Sequence, residues 1–118
     1  MATILKKWSD DQIQRVWEKG TIIPGVDEKI YRQDTAGAWI KRSEYGNIKD
    51  ETNLGWEIDH LKPKSKQGTD DISNLRPFQW NNNRTKGDDY PNWCTSITHD
   101  NGQYIKNIKK IVHWTISK

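Results

Sequence analysis

The stretch of residues 55–90 constrains the fold of this chain more than any other feature of its sequence. Apolar and polar residues alternate over 56–60, which predicts a short strand with one apolar face. After a polar loop, residues 75–78 can pair back as a second strand, which Pro77 keeps short or places at an edge. Residues 79–86 then predict a short helix that ends at a glycine. The predicted order is strand, loop, strand, helix.

The segment before this unit contains one clear helix signal. Ser9 and Gln12 have the spacing of a capping box, and apolar residues follow at i, i+3 and i+4 positions. We therefore expect a helix over residues 10–19. Residues 21–47 have no helical period, and only Tyr31 and Trp39 suggest short extended pieces, so a loop-rich layer is expected there.

The C-terminal segment is ambiguous at this level. Residues 100–102 are a tight-turn signal between extended segments at 96–98 and 104–105. The tail then alternates as a half-buried strand would, although its apolar residues also fit a helical period, so both interpretations stay open. The whole pattern predicts an α+β fold in a single domain, residues 1–118, whose core unit spans about 55–90.

The composition indicates what kind of core the chain can form and which classes of partner it can bind. Hydrophobic residues make up 32% of the chain, but seven of them are Trp, so we expect a small core of large aromatic side chains. A net charge of +3 is compatible with a polyanionic partner without implying one. No apolar run resembles a signal peptide or a membrane span, so a cytoplasmic protein without a membrane partner is expected.

The cysteine and histidine content narrows the chemistry further. Cys94 is the single cysteine, which excludes an internal disulfide and a four-thiolate zinc site, and we expect it to be a small buried residue. His99 and His113 lie outside any motif and are interpreted as structural.

The remaining histidine lies where phosphodiester hydrolysis could be carried out. His60 can deprotonate a water near neutral pH. Asp59 and Asn83 offer a carboxylate and an amide oxygen, which are ligands that hard divalent cations prefer. Neighbouring residues on a strand project to opposite sides, so Asp59 and His60 could flank one phosphate. Three consecutive asparagines leave Asn82 as the rival of Asn83.

Several spaced identities coincide in this segment. They are Asp59-His60, Leu61-x-Pro63-x-Ser65, Gly68-x-Asp70, Asn74-Leu75 and Asn83-x-x-Lys86-Gly87-Asp88. With them, the segment resembles the HNH, or ββα-metal, endonucleases of the small stand-alone bacterial or phage type. It departs from many members in having Asn83 where they have His, and in lacking the paired CxxC motifs that hold a zinc near the site. No structural zinc is expected, and aromatic packing must replace it.

The resemblance implies a role for each site residue. His60 would be the general base, and Asn74 would support catalysis by bracing the loop and holding His60 through a hydrogen bond. Asp59 and Asn83 would bind one divalent ion, Mg²⁺ or Mn²⁺, which bridges the scissile phosphate and the leaving oxygen. The products would carry a 3′-hydroxyl and a 5′-phosphate.

A basic surface would complete such a site. The residues that we predict to contact nucleic acid are Lys62, Lys64, Arg76, Arg84 and Lys86. The resulting hypothesis is a metal-dependent endonuclease, with DNA favoured over RNA and with a monomer and a homodimer both open. The alternative is a catalytically inactive nucleic-acid-binding module with the same fold.

Overall fold

The computed structural model describes residues 8–49 and 53–116 and combines helices with small antiparallel sheets, as the α+β prediction requires. Within these residues, three two-stranded sheets pair β1 with β2, β3 with β4, and β5 with β6. The helices and strands are α1 (Asp10–Trp17), β1 (Tyr31–Gln33), β2 (Trp39–Lys41), β3 (Trp56–His60), β4 (Leu75–Gln79), α2 (Trp80–Lys86), β5 (Asn92–His99) and β6 (Asn107–Thr115).

Helix α1 forms where its cap predicts it. The Ser9 side chain accepts a hydrogen bond from the Gln12 backbone, and the Gln12 side chain accepts one from the Ser9 backbone, which completes the capping box. The helix ends two residues earlier than expected, at Trp17. Its apolar face, Ile13, Val16 and Trp17, is buried in the main core.

Strands β3 and β4 form an antiparallel hairpin that leads directly into α2. In its register, Asp59 lies opposite Arg76, and Pro77 lies opposite Ile58. Gln79 caps α2 by accepting a hydrogen bond from the Asn82 backbone, and the helix ends before Gly87 as predicted. The predicted order of strand, loop, strand and helix is thus observed in this segment.

The segment before β3 is more than the loop-rich wrapping layer that its sequence suggests. Its β1–β2 hairpin contributes Trp39 and Ile40 to the buried interior. The turn between the strands also buries Asp34, which is only 3% exposed. One Asp34 oxygen accepts from the backbone of Ala36 and Ala38, while the other reaches the end of β4 and the start of α2.

The C-terminal segment is a β-hairpin, so the helical alternative for it is wrong. Strand β6 starts at Asn107, later than the extended segment predicted at 104–105. Strand β5 packs against α2, and the buried Asn82 side chain joins them. Asn82 accepts hydrogen bonds from the backbone of Ser96 and Ile97 and donates one to the Ile97 carbonyl.

Aromatic side chains form the centre of the core, as the composition predicts. Trp56 is fully buried and contacts Trp17 and Tyr45 at ring-centroid distances of 5.3 and 4.9 Å. Phe78 and Trp93 are also buried, on the side of the hairpin that carries Arg76. Cys94 is only half-buried, contrary to expectation, because it lies on the outer face of β5 beside His113. Within the described residues, neither helix has the length and apolar character to cross a bilayer.

Candidate functional site

A cleft of about 490 Å³ opens between the end of β3, the loop after it and α2. Strand β3 and the loop after it line one side of the cleft and α2 lines another, so residues distant in sequence meet there. The lining residues are Ile58, Asp59, His60, Pro63, Lys64, Ser65, Asn83, Arg84, Gly87 and Asp88. The cleft therefore brings together His60, Asp59 and Asn83, the three residues that the sequence singles out for catalysis and metal binding.

Asp59 is buried at the inner side of this cleft between two cations. Its Oδ2 accepts a hydrogen bond from Arg76 Nε at 2.9 Å, across the β3–β4 hairpin. Its Oδ1 lies 3.4 Å from the Nζ of Lys86, which reaches in from α2. Burial lowers the pKa of Lys86, and the negative charge of Asp59 opposes that shift. The carboxylate is thus compensated by the protein's own charges.

His60 is held by a second carboxylate. Its Nε2 lies 2.7 Å from Asp70 Oδ1, and the other Asp70 oxygen accepts a hydrogen bond from Lys64 at 3.1 Å. The ring of Trp8 lies against the imidazole at a centroid distance of 5.7 Å. The sequence marks Asp70 only as part of a motif and gives no signal that it pairs with His60. This pairing is set by the loop between β3 and β4.

Asn83 faces the cleft, whereas Asn82 does not line it. The Asn83 amide nitrogen donates a hydrogen bond to Glu57 Oε1 at 3.0 Å. Its carbonyl oxygen has no hydrogen-bond partner within the described residues. Asn82, the alternative ligand, is fully buried, and its side chain forms hydrogen bonds with β5 and Asp34. Sequence reasoning missed Glu57, since a polar residue on an alternating strand carries no specific signal.

Asn74 braces the loop, but by different contacts from the ones expected. Its side chain accepts from the Lys62 backbone N–H and donates to the carbonyls of Lys62 and Thr69. The predicted side-chain hydrogen bond to His60 is not among these contacts. Asn74 therefore closes the two ends of the loop on each other, and its effect on His60 is indirect.

The predicted basic surface divides into two groups. Lys62, Lys64 and Arg84 are exposed, and Arg84 is anchored by Glu57, whose hydrogen bond raises the Arg84 pKa. The prediction of phosphate contacts needs correction for Lys86, which is 1% exposed. Arg76 needs the same correction, because its side chain is 13% exposed, packs on Phe78 and turns its guanidinium to Asp59. Both cations are oriented inward by the buried carboxylate.

The donor atoms at the cleft suit a hard divalent cation. Asp59 Oδ1 has only the long contact to Lys86, and Asn83 Oδ1 is free to coordinate within the described part of the chain. A carboxylate and an amide oxygen match Mg²⁺ or Mn²⁺ better than zinc. No group of three or more His, Cys, Asp or Glu residues in the described ranges could hold a metal, so an ion here would need Asn83 and non-protein ligands.

Comparison with known proteins agrees with the location of this cleft. The family model of the HNH endonucleases matches residues 44–89, which include every residue that lines the cleft. No curated protein and no solved structure matches the chain. HNH nucleases generally use a divalent metal and act on nucleic acids. Residues 44–89 of this chain thus match the HNH endonuclease family, whose members are nucleases.

Proposed function

We propose that this protein is a metal-dependent endonuclease that hydrolyses phosphodiester bonds in DNA. In this proposal residues 1–118 act as one domain, and β3, β4 and α2 form a ββα-metal centre. The observation that carries it is the cleft in which His60, with its ring fixed by Asp70, lies beside the oxygen donors of Asp59 and Asn83. A base, a metal-binding pair and exposed cations are the groups that this reaction needs.

The pairing of His60 with Asp70 supports a specific tautomer. An ionised carboxylate can only accept hydrogen bonds, so Nε2 carries the proton and Nδ1 carries the lone pair. Nδ1 has no hydrogen-bond partner within the described residues and can take a proton from water. The water oxygen then attacks phosphorus, and the bond from phosphorus to the 3′ oxygen breaks.

Asp59 and Asn83 would hold the divalent ion. When bound, the ion would act as a Lewis acid that neutralises the phosphate and stabilises the leaving oxygen. The exposed ammonium groups of Lys62 and Lys64 would hold the substrate backbone without reading its sequence, as phosphate contacts do. Arg84, which lines the cleft, would be the third such contact.

One observation favours the alternative function, a nucleic-acid-binding module without turnover. Asp59 is already neutralised by Arg76 and Lys86, and a binding module has no need of an accessible metal ligand. The contact between His60 and Asp70 favours the endonuclease, because a binding role needs no oriented base.

Cleavage of supercoiled plasmid distinguishes the two functions. The purified protein, His60→Ala and the control His113→Ala are compared with Mg²⁺, Mn²⁺ or EDTA. His113 is a matched control because it is a hydrogen-bonded imidazole on β6, outside the cleft. We expect metal-dependent nicking by wild type and His113→Ala, and a loss of at least about 100-fold in His60→Ala. Folded wild-type protein that shifts DNA on a gel with any metal, yet cleaves none, would establish the binding module instead.

A further inference from the structure

We infer that Glu57 is a positioning residue that fixes the orientation of the Asn83 amide, so that the carbonyl oxygen is offered to the metal. The inference rests on the proposed function, in which Asn83 is a metal ligand. It concerns a residue that does not itself line the cleft.

The two ends of an asparagine amide are not equivalent. The NH₂ group can only donate hydrogen bonds and the oxygen can only accept them, whereas a carboxylate only accepts. Asn83 Nδ2 lies 3.0 Å from Glu57 Oε1. The reversed amide would place two acceptors against each other, so Glu57 selects the orientation in which Oδ1 is turned away from it. Asn83 lies between Glu57 and the cleft, and Oδ1 is the end left for a cation.

Glu57 is itself held in place. Arg84 donates to both of its oxygens, from Nε at 3.3 Å and from Nη2 at 3.1 Å. The paired side chain of Glu57 is 24% exposed, so solvent competes only partly for these contacts. Arg84 follows Asn83 directly on α2, and one carboxylate therefore binds two successive residues of the helix.

The position of Glu57 on β3 couples the two proposed ligands. It lies two residues before Asp59, and residues two apart on a strand project to the same side. The strand thus carries one ligand, Asp59, and the group that orients the other, Asn83. A shift of α2 along the hairpin would break the contact between Asn83 and Glu57. The same shift would move the Asn83 oxygen away from the Asp59 carboxylate.

Titration with Mn²⁺, followed by the electron paramagnetic resonance of the free ion, tests this inference without requiring cleavage. In Glu57→Gln the neutral amide can donate as well as accept, so both orientations of Asn83 become available. We expect the Kd for Mn²⁺ to rise about 10-fold, as for other groups that orient a metal ligand. Asn83→Ala should weaken binding at least as much.

A double variant separates orientation from charge. Asn83→Ala has no amide to orient. Adding Glu57→Gln to Asn83→Ala should therefore change the Kd less than about twofold, whereas loss of a nearby negative charge would weaken binding equally in both backgrounds. Equal weakening would overturn the positioning role, as would an unchanged Kd in Glu57→Gln when Asn83→Ala is weakened. If Asn83→Ala binds Mn²⁺ like wild type, the ligand assignment itself fails. Far-UV circular dichroism establishes that each variant is folded.

Discussion

In the proposed mechanism, the imidazole of His60 depends on Asp70 for its orientation. Asp70 accepts from Nε2, and Lys64 neutralises the carboxylate from its other side. A histidine ring without such a partner exchanges between two tautomers and rotates about its side-chain bonds, so the basic nitrogen is not kept in one place. The Asp70 carboxylate restricts both the tautomer exchange and the rotation of the His60 ring.

Replacing Asp70 with Asn should therefore reduce turnover without removing the base. We expect Asp70→Asn to lower kcat about 10- to 100-fold with little change in KM, because the amide can hold the ring in either tautomer. Steady-state kinetics on a short duplex measures both constants. Asp71→Asn is the control, since Asp71 contacts Thr69 through its side chain and does not line the cleft. Equal losses in the two variants would indicate a general effect on the loop.

At this scale, a spaced motif distinguishes one residue from others of its type, but it cannot distinguish adjacent residues that are identical. His60 could be singled out because it follows Asp59 within the motif, whereas His99 and His113 lie outside it. Asn81, Asn82 and Asn83 are the same residue type, and only the helix geometry sends Asn82 to β5 and Asn83 to the cleft. Glu57 has no motif signal and Asp70 is marked only as part of the motif, so the partners of both become visible only in three dimensions.

The elements around the cleft are joined by buried polar side chains. The Asp34 carboxylate, in the β1–β2 turn, accepts hydrogen bonds from the Gln79 backbone and from the Asn82 side chain. It therefore ties the N-terminal hairpin to the point where β4 becomes α2. Asn82 extends the connection to β5. The helix wall of the cleft is thus anchored on both sides by amide and carboxylate groups.

Replacement of Asp34 by Asn should weaken this connection between the N-terminal hairpin and the point where β4 becomes α2. One of the two oxygens becomes an NH₂ group that faces N–H donors, so at least one buried donor loses its acceptor. We expect Asp34→Asn to reduce the free energy of unfolding by about 2–4 kcal/mol, measured by urea denaturation. Asp27→Asn is the control, because Asp27 is exposed and its side chain caps only a local turn. A decrease in the free energy of unfolding below about 0.5 kcal/mol in Asp34→Asn would contradict its role in connecting these elements.

The same residue gives a dependence of stability on pH. Burial raises the pKa of Asp34 above its ordinary value of 3.8, although four hydrogen bonds oppose the shift. Between 3.8 and the raised value the folded protein binds more protons than the unfolded chain, so this contribution to stability is present at low pH and is lost as pH rises. The gap in unfolding free energy between wild type and Asp34→Asn should be larger at pH 4 than at pH 7. A constant gap would mean that Asp34 titrates alike in both states.

At the scale of the whole molecule, the family segment is embedded in the rest of the chain. Residues 44–89 contain the cleft, but Trp17, which packs on Trp56, and Trp93, which packs on Arg76, lie outside that range, as does Asp34. A segment this short buries little apolar surface by itself. Its stability must come from α1 and the two flanking hairpins.

We therefore expect a fragment of residues 44–89 to be unfolded when it is isolated. Without the flanking elements, Trp56 is exposed and the backbone N–H of Gln79 loses Asp34 as its acceptor. Circular dichroism during thermal denaturation should give a cooperative transition for the full chain and none for the fragment. A cooperative transition in the fragment would show that residues 44–89 fold independently of their surroundings.

Local signals account for the parts of the fold that could be predicted. The capping box of α1, the alternation in β3 and the glycine after α2 each act over a few neighbouring residues. The buried role of the β1–β2 hairpin could not be predicted, because it depends on contacts such as that of Asp34 with Asn82, 48 positions later. A sequence read without three-dimensional contacts cannot choose among the many partners available at such distances.

The counter-charges on Asp59 bear on how the protein would exist between encounters with the proposed ion. In small domains that fold around a metal, removing the ion leaves repelling ligands and the chain opens. Here Arg76 and Lys86 already balance the buried carboxylate, so without an ion Asp59 would not be left as an unpaired anion that forces the fold apart. The availability of divalent cations would then control whether the protein is active, while the chain would reach its fold without the ion.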